Sequence, residues 1–342
     1  MLEHGGNLRQ AARRYQIPYD NWVDLSTGVN PQHWPIPEIN PASWHRLPEF
    51  DDGLIEAARK YYQAESILAV AGSQAAIQAL PVLRPAAKVG MLPCAYAEHE
   101  HNWARQGHEI IHLDEQDIEK QLDSLDVLLL INPNNPTGQT FSMSQLLSWH
   151  RRLSERSGWL VVDEAFIDCT PEQSLAYHTG QPGLIVLRSI GKFFGLAGVR
   201  TGFVLAEPGL LDKLNQLLGP WTVSGPAREI VSRALLDREW HSHTRQALKE
   251  NSARLRQLLR DAGFEPSGGS CLFQWLQHPL AGKIHTCLAQ EGIWTRFFKE
   301  PHSVRFGLPA NEHEWQVLSR GLAQLSQDIL QRDEINESAI LI

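Results

Sequence analysis

The chain has 342 residues, 42% of them hydrophobic and 20% charged, enough to bury a sizeable core and too apolar for a disordered polymer. Its formal charge of -8, with no basic run long enough to reverse it, speaks against a nucleic-acid surface, so positive charge that meets an anionic substrate must be gathered in a pocket. No apolar run approaches the roughly 20 residues that span a bilayer, and the N-terminus lacks the charged-then-apolar layout of a signal peptide, so neither a membrane nor export is expected and the location reads as cytoplasmic.

Residues 1–40 read as an arm, with His4-Gly5-Gly6-Asn7 leading into a predicted helix over 8–15 and then the turn around Asn30. Strand-like and helix-like patterns alternate across 41–225. The predicted strands are 67–71, 88–92, 109–113, 127–132, 160–162, 184–188 and 202–205, with helices at 53–62, 73–83, 98–106 and 144–156 between them. Short, fully apolar strands in that order predict an α/β fold, a mostly parallel sheet covered by helices on both faces. From 226 the pattern changes to long helices (227–236, 240–262), short strands (271–275, 294–297, 304–307) and a helix over 312–328. This predicts a smaller α+β domain over 226–330, followed by a tail at 331–342. The four cysteines lie far apart with no CxxC pair, which fits thiols better than disulfides or a zinc site. His99-Glu100-His101 sets its histidines roughly 200° apart on a helix, and it reads as a solvated face rather than a metal site.

Five segments carry chemistry. In Ser189-Ile190-Gly191-Lys192, with Arg200 eight residues on, a lone lysine sits among glycines and apolar residues. Poor solvation lowers the pKa of such an amine and makes it a nucleophile toward an aldehyde, and Ser189 and Arg200 can clamp a phosphate beside it. A phosphorylated aldehyde held by a lysine describes pyridoxal 5'-phosphate (PLP), although an exposed loop lysine remains the bland alternative. Gly72-Ser73-Gln74 joins a strand to a helix and offers unpaired N–H groups to a phosphate. Asn132-Pro133-Asn134-Asn135-Pro136-Thr137-Gly138 ends an apolar strand and aims amides at the crevice where α/β proteins bind ligands. Asp163 closes a buried strand, and a protonated pyridine nitrogen would be a fitting partner for its carboxylate; capping of the next helix is the alternative. Tyr96 offers an aromatic face. Arg296 and Arg305, nine apart in apolar surroundings, need anions, whether a substrate carboxylate or a local glutamate.

Taken in order, Asn135, Asp163, Ser189, Lys192, Arg200 and Arg305 resemble the fold-type I PLP enzymes of the class I/II aminotransferase family, over about residues 20–328. The resemblance implies that Lys192 is the Schiff-base lysine, that Asp163 meets the pyridine nitrogen and that Asn135 bonds the phenolic oxygen. It further implies that Gly72, Ser73, Gln74, Ser189 and Arg200 surround the cofactor phosphate, that Tyr96 stacks on the ring, that Arg305 takes the substrate carboxylate, and that the chain forms a homodimer. Within the family, the arm residues His4, Gly5, Gly6 and Asn30 together with Arg296 suit a small phosphorylated amino acid, and Phe166 stands where the aminotransferases usually carry tyrosine. The expected reaction is decarboxylation of L-threonine O-3-phosphate, a step of cobalamin biosynthesis. Transamination of histidinol phosphate is the nearer alternative. A non-catalytic PLP-binding regulator is the more distant one, since such proteins add a DNA-binding domain, for which an aminotransferase-like part beginning near residue 20 leaves no room. The segment between Arg296 and Arg305 is shorter than either reaction's usual pattern. No metal is expected.

Overall fold

A computed structural model describes the backbone of residues 4–340 and the side chains of residues 4–327, so the tail expected at 331–342 lies outside the described side chains. Two compact units emerge, Met1–Pro31 with Ala247–Ile342, and Gln32–Gln246. The first carries β1 (Val23–Asp24). The second carries β2 (Ile67–Val70), β3 (Lys88–Met91), β4 (Glu109–His112), β5 (Val127–Ile131), β6 (Trp159–Asp163), β7 (Leu184–Ser189) and β8 (Gly202–Leu205). The first unit then resumes with β9 (Gly268–Ser270), β10 (Phe273–Gln277), β11 (Ile293–Trp294), β12 (Arg296–Phe298) and β13 (Ser303–Gly307).

In the unit 32–246 the seven strands form one sheet in the order β2-β8-β7-β6-β5-β3-β4. Strands β3 to β7 are parallel, whereas β8 runs antiparallel to both β7 and β2. Two reversals restore direction, so β2 ends at the same edge of the sheet as β7, and β8 begins there. All five residues of β5 and all six of β7 are buried, as expected for strands covered on both faces. The helix Ser73–Ala79 contributes Ile77 and the helix Ala97–Arg105 contributes Trp103 to a core shared with Val70, Val89, Leu129, Val161 and Ile185. Truncating Leu129 to alanine in such a core costs about 2–5 kcal/mol. The helix Met143–Ser154 starts at a capping box, in which Ser142 Oγ accepts from the Gln145 N–H and the Gln145 side chain accepts from the Ser142 N–H.

The unit built from 1–31 and 247–342 holds an antiparallel sheet, β12-β13-β10-β9, and a parallel pair, β1-β11. Leu8 and Ala11, one face of the helix Leu8–Tyr15, pack with Trp22 and Ala289, and Tyr15 and Trp294 flank them.

The strands expected in the sheet fall within a residue or so of those observed. Four helices, Ala42–His45, Glu115–Gln121, Pro208–Leu218 and Ala281–Gln290, were not anticipated, the last two being the longest of them. Pro208–Leu218 opens with a proline, which reads as a breaker but costs nothing in a first turn, where its N–H would have no partner. Cys94 and Cys287 are free. Cys169 and Cys271 are each disulfide-bonded, which corrects the expectation of thiols throughout; spacing along a chain carries no information on proximity.

Candidate active site

The adjacent strands β5, β6 and β7 deliver Asn132, Asp163 and Ser189 to one edge of the sheet, the carboxyl edge where open α/β sheets bind ligands. The Asn132 N–H donates to the Asp163 carbonyl (2.9 Å), and the Glu164 N–H to the Leu187 carbonyl (2.9 Å), so pairing continues past the strand ends. Asn134 is buried and its amide donates to the Cys94 carbonyl and to Thr137 Oγ1, both at 2.8 Å. Its neighbour Asn135, the expected cofactor residue, is half-buried beside it.

Lys192 and Arg200 occupy one loop. Ser189 pairs with Gly202 across β7 and β8, and the Ile190 N–H donates to the Thr201 carbonyl, so the ends of the loop are pinned together. That closure, not the eight-residue spacing itself, places both cations at the sheet edge. Lys192 Nζ lies 5.5 Å from the centroid of the buried Phe166 ring. Arg200 approaches Gly72 so closely that a Cβ there would sit 2.7 Å from its Nη2, and Gly72 has φ +71°, a region that side chains disfavour. A Cβ on Gly202 would in turn lie 2.5 Å from the Ser73 N. Gly72 thus lies in close contact with Arg200, and Ser73 with Gly202, the strand partner of the buried Ser189.

Gln74 is oriented from both ends: its amide nitrogen donates to Glu98 (2.8 Å) and its oxygen accepts from the Tyr96 hydroxyl (3.4 Å). Burial and the nearby carboxylates Glu98 and Asp163 push the Tyr96 phenol up to about 12, so it stays protonated. Asp163 is 4% exposed and accepts from the Ala165 N–H (3.0 Å), while its other oxygen lies 2.9 Å from His99 Nε2. His99 is 1% exposed, which corrects its reading as a solvated face. Asn102 and Trp103, three and four residues later on the same helix, are also buried, and that spacing was the available signal. Next to Asp163, Glu164 accepts from Ser174, from the Leu175 N–H (2.7 Å) and from Arg188 (3.0 Å). Arg188 also bonds Asp168 (2.5 Å), which accepts from the Tyr61 hydroxyl (2.9 Å). This buried network ties the ends of β6 and β7 together, and sequence reasoning missed it.

In the other unit, Arg296 and Arg305 are Cα partners in the β12-β13 ladder. The short segment between them is a hairpin that sets two guanidinium-bearing residues directly opposite each other. Like charges so placed repel. Arg305, 6% exposed, donates to the Ser26 carbonyl (2.8 Å) and lies over the Phe273 ring; burial and the charge of Arg296 push it down to about 10. Next to it a cavity of about 460 Å³ is lined by His4, Gly5, Ser26 and Arg296, and also by Arg14, His285 and Lys299, which sequence reasoning did not single out. Gly6 and Asn30 do not line it. The Gly6 N–H is donated to Ser26 Oγ (2.7 Å), and Asn30 is buried.

Residues 23–317 match the family model described as aminotransferase class I and II. A threonine-phosphate decarboxylase from Pseudomonas aeruginosa is 55% identical over 322 residues, 94% of this chain and 97% of that protein. One from Sinorhizobium sp is 38% identical over 331 residues, 95% and 98% of the two chains. Among solved structures, histidinol-phosphate aminotransferase from Sinorhizobium meliloti in complex with pyridoxal-5'-phosphate superposes with a TM-score of 0.82 at 17% identity, covering 96% of each chain.

Proposed function

The chain belongs to the aminotransferase class I and II family, and from that premise we propose that it is a PLP-dependent decarboxylase of L-threonine O-3-phosphate. The observation that carries the reaction is its end-to-end likeness to the P. aeruginosa decarboxylase. The product would be (R)-1-aminopropan-2-ol phosphate, an amino alcohol phosphate of cobalamin biosynthesis.

The residues present suit the cofactor. The turn at Gly72 and Ser73, where a Cβ would displace the Arg200 guanidinium, would take a phosphate, with Arg200 supplying charge and Ser189 and Gln74 beside it. Tyr96 provides a ring face, Asn135 an amide for the phenolic oxygen, and Asp163 a buried carboxylate for the ring nitrogen. Lys192 is the amine for the covalent link. Bound there, PLP supplies an electron sink for the bonding pair released at the substrate Cα.

The chain's own groups do the rest. Asp163, fixed by His99 and the Ala165 N–H, aims its carboxyl group at one point, where it would stabilise a proton on the ring nitrogen. Arg305 holds the substrate carboxylate and Arg296, with His4 and Gly5, the substrate phosphate. Two anchors on one small molecule fix which Cα bond stands perpendicular to the ring, and decarboxylation requires that it be the bond to the carboxylate. Once carbon dioxide leaves, Lys192 Nζ returns a proton to Cα. Phe166 offers no phenol beside Lys192, so the lysine is the nearby proton donor.

A homodimer is supported by large apolar side chains left more than half exposed, Trp44, Leu47, Phe50 and Trp221, of which Phe50 and Trp221 line one cavity. A cytoplasmic site is in keeping with the finding that, among the described residues, no helix is long and apolar enough to cross a membrane.

The deciding experiment incubates the PLP-loaded enzyme with threonine phosphate and no keto acid. Stoichiometric release of carbon dioxide is expected. Turnover only when 2-oxoglutarate is added, with histidinol phosphate as amino donor, would replace this reading by transamination.

A further inference from the structure

The glycine pair of the arm meets the rest of its unit at one serine. Ser26 is 1% exposed, and its hydroxyl is engaged twice. It donates to Oδ1 of Asp24 (2.6 Å) and accepts from the Gly6 N–H (2.7 Å). The Ser26 N–H donates to the same Asp24 oxygen (2.9 Å), so the side chain is held in one orientation. A hydroxyl that gives its proton to a carboxylate is the better acceptor for doing so. Beside that bond the arm lies directly on main chain: a Cβ on Gly5 would sit 2.3 Å from the Ser26 carbonyl oxygen. Gly6 then bends the chain at φ +92°, just ahead of the helix Leu8–Tyr15. The two glycines serve different ends, one close approach and the other a positive-φ bend.

Gly5 and Ser26 both line the cavity that also takes in Arg14 and Lys299. We propose that Ser26 is a positioning residue that seats the arm at this cavity and so sets the affinity for the phosphorylated substrate. The proposal deepens the functional reading above and rests on it for the identity of the substrate. Ser26 acts through the arm and not by touching the ligand. An arm already in place loses little backbone freedom when substrate arrives, and binding is tighter for it.

The competing explanation is that Ser26 supports the turn after β1, or Arg305, whose guanidinium donates to the Ser26 carbonyl (2.8 Å). Deleting the arm separates the two, because a residue that works through the arm has nothing to work on once it is gone. In the PLP-loaded enzyme, Ser26→Ala should raise KM for threonine phosphate about threefold, the scale of one neutral hydrogen bond, with kcat within about twofold. Gly5→Ala sets a methyl group against a carbonyl oxygen that cannot swing aside, and should raise KM as far as deletion of residues 1–7 does. In the deleted chain, Ser26→Ala should add nothing. No rise in the full chain, or an equal rise with and without the arm, overturns the proposal.

A second measurement needs no substrate. Millisecond hydrogen exchange of the PLP-loaded enzyme, followed in the peptide that carries residues 4–8, should be ~3- to 10-fold faster in Ser26→Ala than in wild type, with the peptides of β10 and β13 unchanged. Equal exchange in the arm overturns the proposal. Should the wild type fail to decarboxylate threonine phosphate, the functional reading falls and exchange alone judges Ser26: faster exchange supports its seating of the arm, and equal exchange overturns it. If Ser26→Ala fails to fold, Asp24→Ala at an exposed position replaces it in both measurements, since it removes the acceptor that orients the serine hydroxyl.

Discussion

The two regions assigned to anions are built by opposite means. At the sheet edge of the unit 32–246, charge is neutralised from within. Buried Asp163 has buried His99, buried Glu164 has buried Arg188 and half-buried Ser174, and buried Asp168 has Arg188 and half-buried Tyr61. In the unit 1–31 with 247–342, cations gather around a cavity with no carboxylate among its described lining, and two arginines face each other across a hairpin. The difference teaches what each region is for. Groups that must hold one geometry through a reaction are locked by internal partners. A surface that meets a small anion again and again keeps its positive charge ready for that anion.

The contrast is testable, because substitutions at the sheet edge should act on kcat and cofactor retention, and those around the cavity on KM. The largest effect is expected for Lys192→Ala: loss of activity by at least ~10⁴-fold, the scale of removing a nucleophile, together with the visible absorbance of the linked cofactor. Persistence of both would remove the lysine from its role. Asp163→Asn should lower kcat by ~10²- to 10³-fold and loosen the cofactor, measured by steady-state rates and by dialysis followed by absorbance. Arg305→Met should cost ~10²-fold, carried in KM for the amino acid, as truncating one partner of a buried charge pair does. A loss confined to kcat would break the comparison. Removing His99 with His99→Ala should lower kcat ~10-fold with KM unchanged, since about 1.4 kcal/mol of misplaced charge at Asp163 suffices for that factor. The smallest effect belongs to deletion of residues 1–7, a rise in KM of ~3- to 10-fold through loss of His4 and Gly5. An unchanged KM there would take the arm out of the binding site.

Much of this was legible in the amino-acid order. The alternation of apolar runs fixed strand positions to a residue or so, because strands buried on both faces admit little else. The lysine loop, the double Asn-Pro turn and the strand-end aspartate announce themselves by residue types that are costly to place without cause. What escaped depends on residues distant in sequence. Nothing local to His99 names Asp163, 64 residues away, as its partner. The separation of Arg296 from Arg305 does not state that the segment is a hairpin in that register. Arg14 and His285 come together in one cavity only after folding, and the helix that carries His285 had no sharp periodic signal.

The facing arginines also bear on how the protein behaves before it meets substrate. The like charges of Arg296 and Arg305 stand opposite each other across β12 and β13, so the hairpin closes against a push that its packing must outweigh. Under the proposed function, a doubly negative substrate would turn that push into a clasp. Occupancy should therefore be felt as tightening of the whole C-terminal sheet, and dilute phosphate should lift the melting temperature more in low salt than in high.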